Sequence, residues 1–378
     1  MTSATPMHAR VVAAAAGAAE PTVTVAVPHY NQRRYAEVAL ESVLAQDLPG
    51  LEIVVSDDGS SDDSAQVLPA ILQRAGHPFR YFRQERNLGY DVNVRFCLAS
   101  ARGRYVFLLG NDDALAGPHV LAEVVSQLQT LRFPAVAFTN YEDWGTGVAT
   151  VHAAQTCDLG VGPEVAARHF RNFSFVSGLI FDRAAAAAHE TSRWDSSVFY
   201  QIFLACRIVS AGGHLATLAI TAVRKDIQVE GRKVANYESR WAQEGWSFAP
   251  RHTGLDSVAA VTADAVLPLA PPDRRAALAR RIGTQIILFS YLHWLLEYRR
   301  VAGWPVAVGV ARGTRPARSM AGLPVGLLSR MWLRVVYAAV TVAGLTLPLR
   351  LGQRVGGRIA GLARRLSQSA DRHGGAHA

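Results

Sequence analysis

Short apolar runs alternate with amphipathic stretches along the first part of the chain. That rhythm predicts strands and helices in turn rather than an all-helical or all-strand domain. Strands are expected at residues 22–27 (TVTVAV), 51–55, 79–82, 105–109 and 135–138, each β-branched or aromatic and bounded by turn residues. Helices are expected between them. Residues 33–46 place Tyr35, Val38, Ala39, Ser42 and Val43 on one side, and 64–75, 93–101 and 117–131 follow. Connections of this length predict a mostly parallel sheet with right-handed crossovers and flanking helices. Beyond residue 115 the pattern weakens to a strand at 173–181 and helices at 184–190 and 196–210, and no repeat is visible.

Chemistry gathers where two of these strands end. The stretch LEIVVSDDGSSDDS (51–64) runs from a strand apolar enough to be buried on both faces straight into Asp57 and Asp58. Ligands of open α/β sheets bind at the carboxyl ends of such strands. There Asp57 can accept hydrogen bonds from a base or ribose, Gly59 can turn the chain, and Ser60, Ser61 and Asp62 can cap the next helix. The plainer reading of Asp57, Asp58 and Gly59 is a polar turn. A second strand, 105–109, also ends in acids, in Asn111, Asp112 and Asp113. Their plainer reading is a helix N-terminus at Ala114, where acids are favoured anyway.

Composition bounds the rest. The 378 residues, half of them hydrophobic, allow two domains or one with a long appendage. Three scattered cysteines (Cys97, Cys157, Cys206) form neither a disulfide frame nor a metal pattern. Residues 1–20 are Ala-rich without a long apolar core and read as a disordered lead-in. The net charge of +9 is uneven: residues 274–378 hold 17 arginines against Glu297 and Asp371, and the remainder is therefore acidic. A basic tail on an acidic body argues against a nucleic-acid partner and for an anionic membrane surface. Within the tail, residues 331–349 are apolar but carry Arg334, short of a clear span. Arg350, Arg354 and Arg358 then run beside an apolar stripe that suits an interfacial helix.

Taken together and in order, VPHYNQRRYAEVALESVLAQ, EIVVSDDGSSDDS and RNLGYDVNVRFCLASARGRYVFLLGNDDAL resemble the family-2 glycosyltransferases, strongly over residues 22–115. The resemblance implies the GT-A fold: a Rossmann-like, mostly parallel sheet with flanking helices, here followed by a C-terminal helical, membrane-associating extension. It implies that Pro28, Tyr30, Asn31, Asp57 and Asp58 cradle the nucleotide, with Asn87, Gly89, Asn93 and Asn111 closing the donor site. The family's metal motif, Asp-x-Asp-Asp, falls on Gly110, Asn111, Asp112 and Asp113, so its first acid is missing. Asp112 becomes the main carboxylate for Mg2+ or Mn2+, with Asp113 in support. The glycine variant is similar to abequosyltransferases of surface polysaccharide synthesis.

In an inverting enzyme one carboxylate takes the acceptor proton. The resemblance places it near Asp195, with Glu190 and Asp182 as rivals and a helix cap as the plainer role. Trp194 and Trp241 could stack on sugar rings, although a place in the core is the commoner role for either. Arg224, Lys225, Arg232, Lys233 and Arg240 form a basic stretch that suits phosphates or plain solvation. His29, His169 and His214 have no partner at ligand spacing and receive no role.

The expected protein is an inverting glycosyltransferase (hexosyl or deoxyhexosyl) using a UDP-, dTDP-, CDP- or GDP-linked sugar and a lipid-linked glycan acceptor. Its expected place is the cytoplasmic face of a bacterial inner membrane, peripheral or monotopic. Residues 21–250 form the catalytic domain (21–115 for the nucleotide-sugar, 116–250 for the acceptor) and 271–378 the tail. The alternative, motivated by Gly110, is an inactive domain that scaffolds glycan assembly. A dehydrogenase is disfavoured, because no G-x-G-x-x-G follows the first strand.

Overall fold

The computed structural model describes residues 9–15, 20–74, 76–234 and 254–349. The chain divides into one unit of residues 1–165 and 169–234 and another of 166–168 and 235–378.

The first unit opens with β1 (Ala9–Ala15), β2 (Val23–His29), α1 (Arg33–Leu44), β3 (Leu51–Asp57), α2 (Ser64–Gln73) and β4 (Phe79–Gln84). It continues with α3 (Tyr90–Ser100), β5 (Tyr105–Leu108), β6 (Ala114–Leu115), α4 (Val120–Thr130), β7 (Val136–Asp143), β8 (Ala149–Thr150), β9 (Cys157–Gly160) and α5 (Pro163–His169). β10 (Leu179–Asp182), α6 (Arg183–Ala188), α7 (Tyr200–Ser210) and β11 (Leu215–Lys225) complete it. All positions of β2 and β3 are buried, which is why both read as unbroken apolar runs. α1 buries Ala36, Ala39, Leu40 and Val43, the spacing of one helix face.

The strand order is β1-β4-β3-β2-β5-β10-β7-β11-β6. β4, β3, β2 and β5 are mutually parallel, as expected for a βαβ series. From β5 outward the pairings turn antiparallel, apart from β7 with β11, so the whole sheet is mixed. β2 lies between β3 and β5, so the strand order reverses there and a crevice opens at the carboxyl ends of these three strands. Their ends carry His29, Asp57 and residues 109–113.

Three elements differ from the sequence expectation. Residues 9–15, read as lead-in, pair antiparallel with β4 and cover what would be an open sheet edge. Residues 170–173 form a short 3-10 helix, and the strand there begins only at Leu179. β11 was not anticipated, because small and polar residues in LATLAITAVRK blur the alternation of a strand.

The second unit is helical: α8 (Leu255–Val266), α9 (Pro272–Gln285), a π-helical turn Ile286–Tyr291, α10 (Leu292–Gly313), α11 (Pro316–Ser319) and α12 (Leu327–Thr346). α10 is kinked at Gly303, whose φ is 82°, two residues before Pro305. α12 is fastened by Tyr291, whose ring stacks on Tyr337 at 4.6 Å, and by Arg299, which donates to the carbonyls of Gly344 and Leu347 at 2.8 and 2.6 Å. Among the described residues α12 is the one helix long and apolar enough to cross a membrane, with a mean hydropathy of 1.2. The stripe around Arg350, Arg354 and Arg358, and Arg240, Trp241 and Trp246, lie outside the described residues.

Candidate donor and metal site

The crevice is built by side chains that satisfy one another before any ligand arrives. Asp57 is fully buried. Its Oδ1 accepts from the Ser60 amide at 2.8 Å and its Oδ2 from the Tyr81 hydroxyl at 2.9 Å, with Arg83 Nε at 3.7 Å. Burial, and then the Asp57 charge, push the Tyr81 hydroxyl pKa up. Both oxygens of Asp57, expected to contact the nucleotide, thus already have partners inside the protein. Asp58 is nearly as enclosed, and its two oxygens accept from the Leu88 and Gly89 amides at 2.8 and 2.9 Å. Burial raises its pKa. Asn87 Oδ1 also accepts from Gly89, and Gly89 takes φ 95° at the start of α3, a conformation glycine adopts without a Cβ penalty.

Asn93, on the first turns of α3, donates to the His29 and Ser56 carbonyls at 3.2 and 3.0 Å. It ties the helix to the ends of β2 and β3. Pro28 and His29 are buried on β2, whereas Tyr30 is 43% exposed. Asn31 sits in the left-handed region at φ 55°; its amide donates to Ser60 Oγ at 2.7 Å and its Oδ1 accepts from the Ser61 amide at 2.9 Å.

His29, given no role from sequence, is central to this cradle. Asn111 Nδ2 lies 3.1 Å from His29 Nδ1, so that nitrogen accepts and Nε2–H faces Ser64 Oγ at 2.8 Å. Ser64 in turn donates to Asp62 Oδ1 at 2.5 Å. Burial lowers the His29 pKa and suits this neutral relay. No sequence spacing announces it, because its members meet only when β2, α2 and the 109–113 turn converge.

The acidic turn follows β5. Asp113 is buried; Ser177 Oγ donates to its Oδ2 at 2.5 Å and the Asp226 amide to its Oδ1 at 2.9 Å. Burial first, and the Asp112 charge second, push its pKa up to about 7. Asp112 is partly exposed, and its pKa is raised by burial and by the Asp226 charge. Gly110 explains the missing acid. A Cβ there would lie 3.2 Å from Asp112 Oδ1, Asp113 Oδ2 and Ser177 Oγ at once, so the two carboxylates occupy the space a side chain would need.

Among the described residues no three His, Cys, Asp or Glu side chains converge as a cage for an ion. The donor set nonetheless fits a hard divalent cation, which keeps several waters and needs one or two carboxylates beside substrate phosphates. Asp112 would hold it, and the repulsion among Asp112, Asp113 and Asp226, which adds to burial in raising the pKa values of the pair, is charge a cation would offset.

β11 brings the basic stretch to the same place. Arg224 lies over the Trp144 ring at 4.1 Å and 3.2 Å from Glu142. Lys225 Nζ reaches Asp226 at 3.0 Å and Lys233 reaches it at 3.5 Å. Arg232 offers its carbonyl to the Tyr35 hydroxyl.

Asp195 is gripped by Arg95: Nε to Oδ1 at 2.8 Å and Nη2 to Oδ2 at 2.9 Å. Glu190 shares the same guanidinium at 2.5 Å, and Asp182 caps α6 through the Ala185 amide. Trp194 lies beside Phe203, with ring centroids 6.4 Å apart. All three expected proton acceptors are thus engaged within the protein. Asp91, one turn before Arg95, accepts from the Val198 and Tyr200 amides, so α3 holds the whole 190–200 loop.

The Glycosyl transferase family 2 sequence model matches residues 24–158. Among curated relatives, a Campylobacter jejuni GalNAc(5)-diNAcBac-PP-undecaprenol beta-1,3-glucosyltransferase is 38% identical over 96 residues, 25% of this chain and 31% of its own. The Salmonella typhimurium abequosyltransferase RfbV is 33% identical over 96 residues, 25% of this chain and 29% of its own. The chain thus matches about a third of the length of these relatives. In structure it is similar to S. aureus TarS 1-349 in complex with UDP, at TM-score 0.56 and 16% identity, over 89% of this chain and 92% of that one. It is also similar to the Pyrobaculum calidifontis mannosyltransferase PcManGT in complex with GDP-Man and Mn2+, at TM-score 0.50 and 17% identity, over 87% and 88%. The switch-point crevice and the sequence match across it agree: this chain carries a family 2 glycosyltransferase domain with the GT-A fold.

Proposed function

We propose that the protein transfers a sugar, with inversion, from a nucleotide-sugar to a lipid-linked glycan at an anionic membrane surface, the cytoplasmic face of a bacterial inner membrane. The observation that carries the transfer reading is the meeting of Asn111 with His29 and Asn31, beside Asp112, at the open end of β2 and β5, over a floor that Asp57, Asp58 and Asn93 hold rigid. Exposed Tyr30 offers a ring to a nucleobase. Asn111 and Asp112 face the diphosphate, and Asp113 fixes the turn that presents them. A divalent ion held by Asp112 would offset the charge of the departing nucleoside diphosphate. Lys225 and Arg224 add positive charge at the rim of the same turn.

Relatives acting on an undecaprenol-linked glycan and named for abequose transfer support a lipid-linked acceptor and a hexosyl or deoxyhexosyl donor. Gly110, which motivated the inactive-scaffold alternative, has a packing reason of its own and gives that alternative no support. The test is a screen of UDP-, dTDP-, CDP- and GDP-sugars, with Mn2+ or Mg2+, for donor hydrolysis and for transfer to polyprenyl-diphosphate glycans. The anomeric configuration of the product is then read by NMR. Turnover of one donor with an inverted product is expected; binding without turnover of any donor would overturn the reading.

A further inference from the structure

α12 is packed on one side only. Leu333 and Gly344 face inward; a Cβ on Gly344 would come within 2.5 Å of Leu295, so that side is closed against α10. The opposite side is apolar and open: Leu327 and Leu328 are 74% and 81% exposed, and Met331, Trp332, Val335 and Val342 continue the face down the helix. Isolated exposed apolar residues need no explanation, but a contiguous face of them does. Trp304, also exposed, donates through Nε1 to the Leu345 carbonyl at the far end of the same helix.

The charge around this face has one sign. Arg312, Arg315, Arg318, Arg330 and Arg334 are all exposed, and residues 298–349 contain no Asp or Glu. Between α11 and the start of α12 lies a cavity of about 280 Å³ whose walls include Met320, Leu323, Val325 and Leu333, with Arg330 and Arg334 beside them. The two arginines stand one helical turn apart, and Arg330 Nε is fixed to the Val325 carbonyl at 3.0 Å. Apolar walls with two guanidinium groups match a phosphate that carries acyl chains, since guanidinium pairs with phosphate oxygens through parallel hydrogen bonds.

We propose that this face of α12 lies in the interface of an anionic phospholipid bilayer, with a lipid phosphate seated at Arg330 and Arg334. The inference deepens the membrane part of the proposed function, on which it rests, and is separate from the transfer chemistry. The helix lies in the surface rather than crossing it. Its first two turns carry both arginines, and its inner side and last carbonyls are already committed to Leu295 and Arg299. One packed side and one apolar side bordered by cations is the pattern of an interfacial helix.

The experiment uses the full-length chain and flotation with phosphatidylcholine vesicles, with and without phosphatidylglycerol. Two variants are compared with wild type: Arg330→Gln with Arg334→Gln, and Leu328→Ser with Met331→Ser and Val335→Ser. Circular dichroism and donor-induced thermal shift check that each variant is folded. Wild type is expected to float with phosphatidylglycerol vesicles only, and salt should release it. The arginine pair should weaken binding about thirtyfold, from roughly 1 kcal/mol per basic residue, and the apolar triple at least as much. Quenching of Trp332 by brominated lipid, lost in Trp332→Phe, should accompany binding. Wild-type affinity in both variants would overturn this surface while leaving membrane association intact. Absence of vesicle binding by wild type would overturn the membrane reading as well. Extraction only by detergent would overturn the interfacial placement in favour of a span.

Discussion

Arg95 holds Asp195 through two parallel hydrogen bonds of 2.8 and 2.9 Å from a guanidinium that is almost wholly buried. Both Asp195 oxygens are thus committed to a structural partner, which holds the carboxylate in its ionised form. We assign the pair to holding the 190–200 loop. Asp195→Asn and Arg95→Gln should then both lose stability, Arg95→Gln by more, on the order of 3 kcal/mol, because it removes the cation from two carboxylates whereas Asp195→Asn leaves Arg95 paired with Glu190. Activity should fall in parallel with the loss of structure. Thermal denaturation and steady-state kinetics on the same samples check this. A wild-type melting temperature in Asp195→Asn, with turnover down by orders of magnitude, would instead make Asp195 the proton acceptor.

Asp57 has no surface to offer a ligand, and both its oxygens have partners. Asp57→Ala should therefore destabilise the unit before it weakens donor binding. Leaving the Ser60 amide and Tyr81 hydroxyl buried and unpaired costs about 1–3 kcal/mol for each group. For a unit of this size each kcal/mol lowers the melting temperature by about 2–4 °C. Tyr81→Phe removes only one of the two bonds and should be milder. Donor affinity lost in Asp57→Ala without a drop in melting temperature would show direct contact with the nucleotide.

The parallel half of the sheet was legible because its strands are buried on both faces and its helices carry a clean apolar stripe. The candidate site was legible as a location, since Asp57 and Asp112 end such strands. What each acid does there was not. Whether a carboxylate faces solvent or an amide depends on turns such as Ser60 and on residues far along the chain, Tyr81, Ser177 and Asp226. His29 was passed over for the same reason: its partners Ser64 and Asn111 come from two other segments. β11 escaped because small and polar residues dilute its alternation, although it is the strand that carries Lys225 and Asp226 to the acidic turn.

The acidic turn should make the protein sensitive to pH. The Asp113 carboxyl goes from an ordinary value of 3.8 up to about 7 on folding, chiefly through burial. A raised carboxyl binds its proton more tightly when folded, so its stabilising contribution is present at low pH and lost as pH rises from about 4 to about 7. Metal-free wild type should thus be less resistant to urea at pH 8 than at pH 5, and Asp113→Asn should flatten that slope. A divalent ion competes with the same protons, so its apparent affinity should climb with pH and level off above about 7. Urea titrations at the two pH values, without metal and with Mn2+, measure both effects. A pH-independent difference between wild type and Asp113→Asn would remove Asp113 as the titrating group.

Gly110 separates motif from geometry. Sequence logic holds that restoring the absent acid, Gly110→Asp, should complete the Asp-x-Asp-Asp motif and tighten metal binding. The turn is tight there, because the first carbon of any side chain would meet Asp112 Oδ1, Asp113 Oδ2 and Ser177 Oγ at 3.2 Å and these groups would have to shift by a few tenths of an ångström. Gly110→Ala already overfills the turn, which typically costs about 1–3 kcal/mol, and should lower turnover by displacing Asp112. Gly110→Asp brings a larger side chain into the same turn and should displace Asp112 further, which outweighs the attraction of its added charge for the ion, so it should bind Mn2+ more weakly than Gly110→Ala does. Calorimetric titration of Mn2+ into the three proteins, with their melting temperatures, orders them as wild type, alanine, aspartate. Tighter Mn2+ binding by Gly110→Asp than by wild type would mean that the turn opens to admit a ligand at position 110 and that the packing argument is wrong.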